Sequence, residues 1–137
     1  HYYLSEKSEL KVQQITIDSL LAEKNIHSVD FLKLDVEGYE YRALLGAKQA
    51  LSSGSINYIQ LEYNQTWIEG GGSILKILKL SDEYGFSLYR INSNQLMAIP
   101  SYNFNLDDFV YCNLLLVKDG FELPLPCKRK AIPLIER

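Results

Sequence analysis

The sequence predicts an α/β domain built on a parallel sheet, and three observations predict it. Short apolar runs at residues 31–34, 56–63 and 86–91 are too brief for helices and are bounded by turn-forming residues. Between them lie segments whose apolar residues recur at helical spacing, such as Tyr41, Leu44, Leu45 and Leu51. The resulting order, strand–helix–strand–helix–strand, calls for parallel strands joined by right-handed crossovers. Sheets of this kind take their ligands at the carboxyl ends of the strands, which directs attention to those positions.

Taken in order, residues 12–17 (Val-Gln-Gln-Ile-Thr-Ile) read as a short strand. Asp18 or Ser19 then caps a helical turn carrying Leu20, Leu21 and Ala22, which runs out near Asn25. Residues 31–34 are apolar except for Lys33 and fit a buried strand that ends by Gly38. One helix is expected over 39–51, closed by Ser52-Ser53-Gly54. A second strand spans 56–63. After the loop 64–72, Ser73 caps a helix holding Ile74, Leu75, Ile77, Leu78 and Leu80 that stops at Tyr84-Gly85. Residues 86–91 form the third strand and 95–99 its hairpin partner, turning at Asn92-Ser93-Asn94. Residues 109–117 make a last, strongly apolar strand, and the tail from Glu122 onwards has no clear period.

With 137 residues, 47% of them apolar and 23% charged, the chain has the balance of one soluble globular domain. Its net charge is −3, and Lys128-Arg129-Lys130 is too small a basic cluster to follow a phosphate backbone, so nucleic acid is not an expected partner. No apolar stretch reaches the roughly 18 residues of a membrane span. Cys112 and Cys127 are too few and too isolated for a disulfide framework or a zinc site, which fits a reducing, cytoplasmic setting. His27 has no second histidine or paired cysteine to suggest a triad.

Two strands end in acids: Asp35 and Glu37 on the first, Glu62 on the second. Neighbouring parallel strands lie about 5 Å apart with their carboxyl ends facing the same way, so neighbours would bring Asp35 and Glu62 together at the rim. Alternation puts Lys33, Asp35 and Glu37 on one face, where Lys33 offsets part of the acidic charge. Two readings stand. In one, the acids hold a substrate hydroxyl, take its proton or bind a divalent metal. In the other, Asp35 and Glu37 cap the following helix, whose dipole favours acids. Glu62 has the stronger claim to chemistry, because it follows a buried strand and starts no helix. The acids lack an obvious metal partner, and no metal is expected.

The loop 64–72 carries the sole tryptophan, Trp67, followed by Gly70-Gly71-Gly72. One reading makes it a lid or substrate wall over the strand end, with Trp67 against the substrate. The other makes it a plain connection with Trp67 tucked onto the core. No G-x-G-x-x-G or Lys-Ser/Thr pattern accompanies the glycines, so a phosphate cradle is not expected.

Read together, Ile-Thr-Ile-Asp-Ser-Leu-Leu (15–21), Val-Asp-Phe-Leu-Lys-Leu-Asp-Val-Glu-Gly-Tyr-Glu (29–40) and Leu-Leu-Gly-Ala (44–47) resemble the signature block of FkbM-type methyltransferases. Ile-Gln-Leu-Glu-Tyr-Asn (59–64), Gly-Phe-Ser-Leu-Tyr (85–89) and Asn-Leu-Leu (113–115) continue the resemblance in order. It covers about residues 10–118 and leaves 119–137 as a C-terminal tail; the Lys-x-Asp-Val-Glu-Gly stretch is its most specific piece.

The resemblance implies a Rossmann-like class I methyltransferase sheet, mainly parallel with an antiparallel last strand, of which this chain holds the C-terminal half. It also implies S-adenosylmethionine as cofactor and O-methyl transfer to a hydroxyl of a sugar or natural product, free or carried on a glycan. Asp35 would then lie near the sulfonium and the incoming hydroxyl, serving both cofactor binding and catalysis. Glu62 and Glu37 would be the further catalytic acids, and Tyr63 and Asn64 would join Trp67 on the substrate side. The glycine-rich loop and ribose-holding acid that the family places upstream have no counterpart before residue 10. The 137-residue chain alone is therefore expected to be inactive, with an open apolar sheet edge suited to homo-oligomer formation. Two rivals remain: a non-catalytic methyltransferase-like interaction module, and a metal-dependent hydrolase or phosphotransferase using Asp35, Glu37 and Glu62.

Overall fold

In the computed structural model, which describes residues 12–128, the chain enters its first helix, α1 (Ile17–Glu23), through Thr16. Thr16 Oγ1 accepts the Ser19 N–H at 3.1 Å, so the cap lies two residues before the expected Asp18. Residues 12–16 form no strand: Val12 and Ile15 are exposed and have no ladder partner among the described residues. Asp18 serves another helix instead. Its carboxylate accepts the N–H groups of Gln49 at 2.9 Å and Ala50 at 3.0 Å. This capture splits the single helix expected over 39–51 into α2 (Glu40–Leu45) and α3 (Lys48–Ser52). In an unbroken helix the Ala50 N–H would bond the Gly46 carbonyl, but that carbonyl accepts the Asp18 N–H at 2.9 Å.

Strands β1 (Val29–Leu34), β2 (Ile56–Tyr63), β3 (Phe86–Asn92), β4 (Gln95–Ala98), β5 (Cys112–Lys118) and β6 (Cys127–Lys128) form one sheet. Their order is β1-β2-β5-β3-β4-β6. β1 and β2 are parallel neighbours, while β5 lies between β2 and β3 and runs antiparallel to both. The expected antiparallel strand is thus present, but the sheet is mixed rather than mainly parallel. Only β1–β2 and β4–β6 pair in parallel among the described residues, because β5 separates the codirectional β2 and β3. β5 also starts three residues later than expected, since Phe109 has a left-handed φ of 54° that ends extension there. Between β2 and β3, α4 (Trp67–Gly70) interrupts the expected loop. α5 (Ile74–Tyr84) follows, capped as expected by Ser73 and ended by Gly85 in a left-handed conformation.

Burial explains the layering. Along β2, Ile59, Leu61 and Tyr63 are buried while Tyr58, Gln60 and Glu62 are half-buried, the alternation of a strand with one core face. The core face packs against Leu44, Ala47 and Leu51 and against Ile74 and Ile77 of α5. Central β5 is buried on both faces through Leu114, Leu115, Leu116 and Val117. On the opposite face, Leu96, Leu115 and Val117 form a smaller cluster covered by the chain after β5. There Phe121 meets Tyr58 edge-on at 6.0 Å, and the Tyr58 hydroxyl donates to the Glu122 carbonyl at 2.8 Å. The tail that lacked a period is thus a cover for the helix-free face as far as β6. Arg129, Lys130 and the rest of the tail lie outside the described residues. β1 departs from the buried strand expected: Phe31 is 52% exposed, because β1 has a sheet neighbour on one side alone among the described residues. No helix among the described residues is long and apolar enough to cross a membrane.

Candidate functional site

The parallel register pairs Lys33 with Gln60 and Leu34 with Leu61, so the carboxyl end of β1, where Asp35 follows, lies beside that of β2, which carries Glu62. The two acid-tipped strands are thus parallel neighbours, as the strand-end argument required. Lys33 Nζ donates to Asp35 Oδ2 at 2.7 Å, which fixes the two on one side of the strand. That hydrogen bond raises the Lys33 pKa above its usual value against opposing desolvation, and the charges of Asp35, Glu62 and the Tyr111 phenol add to the rise. Lys33, Asp35, Glu62 and Tyr111 therefore share one electrostatic neighbourhood on the helix-free side. Gln60 continues the polar row toward β5, donating through Nε2 to Asn113 Oδ1 at 2.9 Å.

The turn after β1 sets the position of Asp35 and Glu37. Glu37 is exposed and adopts φ 52°, a left-handed conformation that costs a residue with a side chain. Gly38 follows at φ 99° and is buried against the next strand's turn. A Cβ there would lie 2.3 Å from the Thr66 carbonyl oxygen, and a Cβ on Gly70 would lie 1.8 Å from the Gly38 oxygen. The two strand-end turns are therefore in backbone contact, and glycine is what permits it. Neither Asp35 nor Glu37 caps α2, whose N-cap, Tyr39, makes no side-chain capping bond. Glu40 does the local work. It is 1% exposed, and its Oε1 accepts the Val36 N–H at 3.0 Å and the Gly38 N–H at 3.4 Å. In the sequence Glu40 stands only as the last residue of the stretch 29–40.

The aromatic residues at the end of β2 are structural. Tyr63 and Trp67 are both 0% exposed, so the expectation that they touch a substrate needs correcting. Tyr63 shares the parity of Ile59 and Leu61 and points into the core; that alternation was a readable signal. Its hydroxyl accepts the Phe109 N–H at 3.0 Å and donates to the Leu106 carbonyl at 3.3 Å. Burial pushes its pKa up to about 12. Trp67 packs edge-on to Tyr63 at 4.9 Å, and its Nε1 donates to the Glu62 carbonyl at 2.8 Å. The loop 64–72 is accordingly a packed connection rather than a lid.

Asn64 remains partly open. Its Oδ1 accepts the Thr66 N–H and hydroxyl at 2.7 and 2.6 Å, and its Nδ2 faces Glu62 Oε1 at 3.4 Å. A shallow cleft of about 370 Å³ lined by Asn64, Gln65, Thr66, Phe109 and Tyr111 opens there. A second cleft of about 720 Å³ includes Val36, Tyr39 and Arg42 with residues 13–16. Sequence reasoning passed over Tyr111, which is exposed beside the acids, because it lay inside a run read as strand.

The arrangement can do two things: hold a cation against carboxylates, and accept a proton from a hydroxyl placed between Asp35 and Glu62. Among the described residues no three His, Cys, Asp or Glu side chains converge on a common metal position, so Asp35, Glu37 and Glu62 form no cage. A family model described as the methyltransferase FkbM domain matches residues 1–88, which include the acidic turn, β2 and α5. No curated protein and no solved structure matches the chain at a significant level. The matched segment spans well over half the chain and holds both acidic strand ends: the protein belongs to the FkbM methyltransferase family.

Proposed function

We propose that the protein takes part in transfer of the methyl group of S-adenosylmethionine to a hydroxyl of a sugar or natural product, with Asp35 and Glu62 as the principal acids. The observation that carries this reading is the meeting of Asp35, Glu62 and Lys33 at the ends of two parallel neighbours, beside open clefts. The residues present suit the cofactor's charge, since carboxylates on an exposed rim complement a sulfonium cation. When bound, S-adenosylmethionine supplies an electrophilic methyl group.

The chain's own side chains then have separable tasks. Asp35 accepts or steers the acceptor hydroxyl's proton and faces the cationic centre. Glu62 and Asn64 orient the acceptor, and Glu37 borders it. Lys33, whose pKa is raised by its hydrogen bond to Asp35, anchors the Asp35 side chain at 2.7 Å. A single aligned acceptor oxygen is most of what such a displacement requires. The cofactor's glycine loop would come from protein outside residues 10–118, docking along the edge of β1 that has no neighbour among the described residues; two copies of the chain can also meet there. Two unpaired thiols, Cys112 and Cys127, agree with a reducing, cytoplasmic setting.

The test is calorimetric titration with S-adenosylhomocysteine, on this chain and on any longer polypeptide containing it, followed by a hydroxyl-acceptor screen. Asp35→Asn should lower kcat by about 10²–10⁴-fold, as loss of a positioned proton acceptor does. Absence of binding by both proteins would leave the second reading, a non-catalytic pairing module, which the exposed Phe31 on β1 favours.

A further inference from the structure

We infer that Glu40 is a positioning residue for the acidic turn, setting Asp35 and Glu37 relative to Glu62; the inference rests on the methyl-transfer reading for what that positioning achieves. Glu40 is an unusual group to bury. It is 1% exposed, and Oε2 has no hydrogen-bond partner among the described residues. A carboxylate oxygen buried in that state is costly, so its presence calls for an explanation.

The other oxygen supplies one. Oε1 receives the Val36 and Gly38 N–H groups, which flank Glu37 on either side. Those two bonds hold the chain around the left-handed Glu37, φ 52°, and deliver Gly38 into its contact with Thr66. Strained backbone of this kind persists where the surroundings over-determine it, and here Glu40 does so from inside the turn. Arg42, two residues on, secures the other side by donating from Nε to the Gly70 carbonyl at 3.1 Å. Because β1 and β2 are in fixed register, turning the loop through Val36 moves Asp35 against Glu62. Only one oxygen of Glu40 is used, so the task is acceptance of two amide hydrogens at one reach rather than provision of charge.

That division gives a test with three distinguishable outcomes. Glu40→Gln keeps the reach and an accepting oxygen but removes the charge. Glu40→Asp keeps the charge but is one methylene short. Positioning predicts that the Gln variant stays within about tenfold of wild-type kcat with KM for S-adenosylmethionine unchanged, while the Asp variant falls about 100-fold in kcat, the scale of a misplacement near 1 Å, and its KM for S-adenosylmethionine rises because Asp35 moves with the turn. It also predicts that the Gln variant melts no lower than wild type. A charge role reverses the order of the two variants, and a merely structural role leaves both with wild-type kcat per folded molecule; either result overturns the proposal.

If wild type transfers no methyl group, the transfer reading fails by itself. Positioning is then judged by NMR titration of the Asp35 and Glu62 carboxyl carbons. A changed titration in the Asp variant and an unchanged one in the Gln variant sustain it; equal behaviour in the two overturns it.

Discussion

Tyr63 spends its hydroxyl on the backbone of the loop that precedes β5, and this makes it a pH-sensitive point in the core. Burial raises its pKa to about 12, above the value of about 10 for tyrosine in an unfolded chain. Between those two values the unfolded chain has released the proton and the folded chain has kept it, so the unfolded state binds fewer protons and stability falls as pH rises from about 10 to 12. Tyr63→Phe should cost about 1 kcal/mol at neutral pH, because the Phe109 N–H loses its acceptor, and should abolish that part of the alkaline loss. Chemical denaturation at pH 7 and through the alkaline range checks both; an alkaline limb equal in the two proteins would sink the argument.

At this scale the sequence was informative where residue type and strand position coincide. Asp35 and Glu62 stood out because acids at strand ends need a reason. Glu40 did not, since its importance depends on the turn folding back to present Val36 and Gly38 amides to it. Tyr63 was placed on the substrate side by the family resemblance and Trp67 by its position in a glycine-rich loop over a strand end, but the core face of β2 takes both side chains inside.

Among the elements, β1 to β5 and α5 were legible because each signal is local: Ser73 before an apolar run, Gly85 after it, alternation along β2; the strand expected over 12–17 did not form, and β6 carried no signal. The break between α2 and α3 was not legible, because its cause lies 31 and 32 residues away in Asp18. Helical periodicity continues across Gly46 even though the hydrogen bonds do not. Asp18→Ala should therefore lower stability by about 1–2 kcal/mol, the usual cost of losing a capping carboxylate, even though Asp18 lies within a different helix. The same variant should release α1 from α3, seen as faster amide exchange at Gln49 and Ala50 with little change at β5. Unchanged exchange at those two amides would show that the cap does not hold the pair together.

For the molecule as a whole, the sheet order was the least legible feature, since no local signal says that β5 enters between β2 and β3. Its insertion makes β5 the most buried strand, while β1, at the end of the order, has one neighbour among the described residues. A strand whose outer edge is unpaired among the described residues, and which carries an exposed phenylalanine, invites another strand. The helices cover one face of the sheet and the chain after β5 covers part of the other, but Phe31 and Lys33 on β1 remain open. We expect the purified chain to self-associate along β1 in a concentration-dependent way. Phe31→Lys should weaken that association about tenfold, since lysine on an edge strand opposes pairing through its charge and its hydration. The residue contributes little to the core, so thermal stability of the monomer should stay within about 0.5 kcal/mol. Sedimentation velocity across a concentration series separates the outcomes. A wild-type chain that stays monomeric throughout removes self-pairing and leaves the edge to a different strand, while equal association of the two proteins moves the contact away from β1.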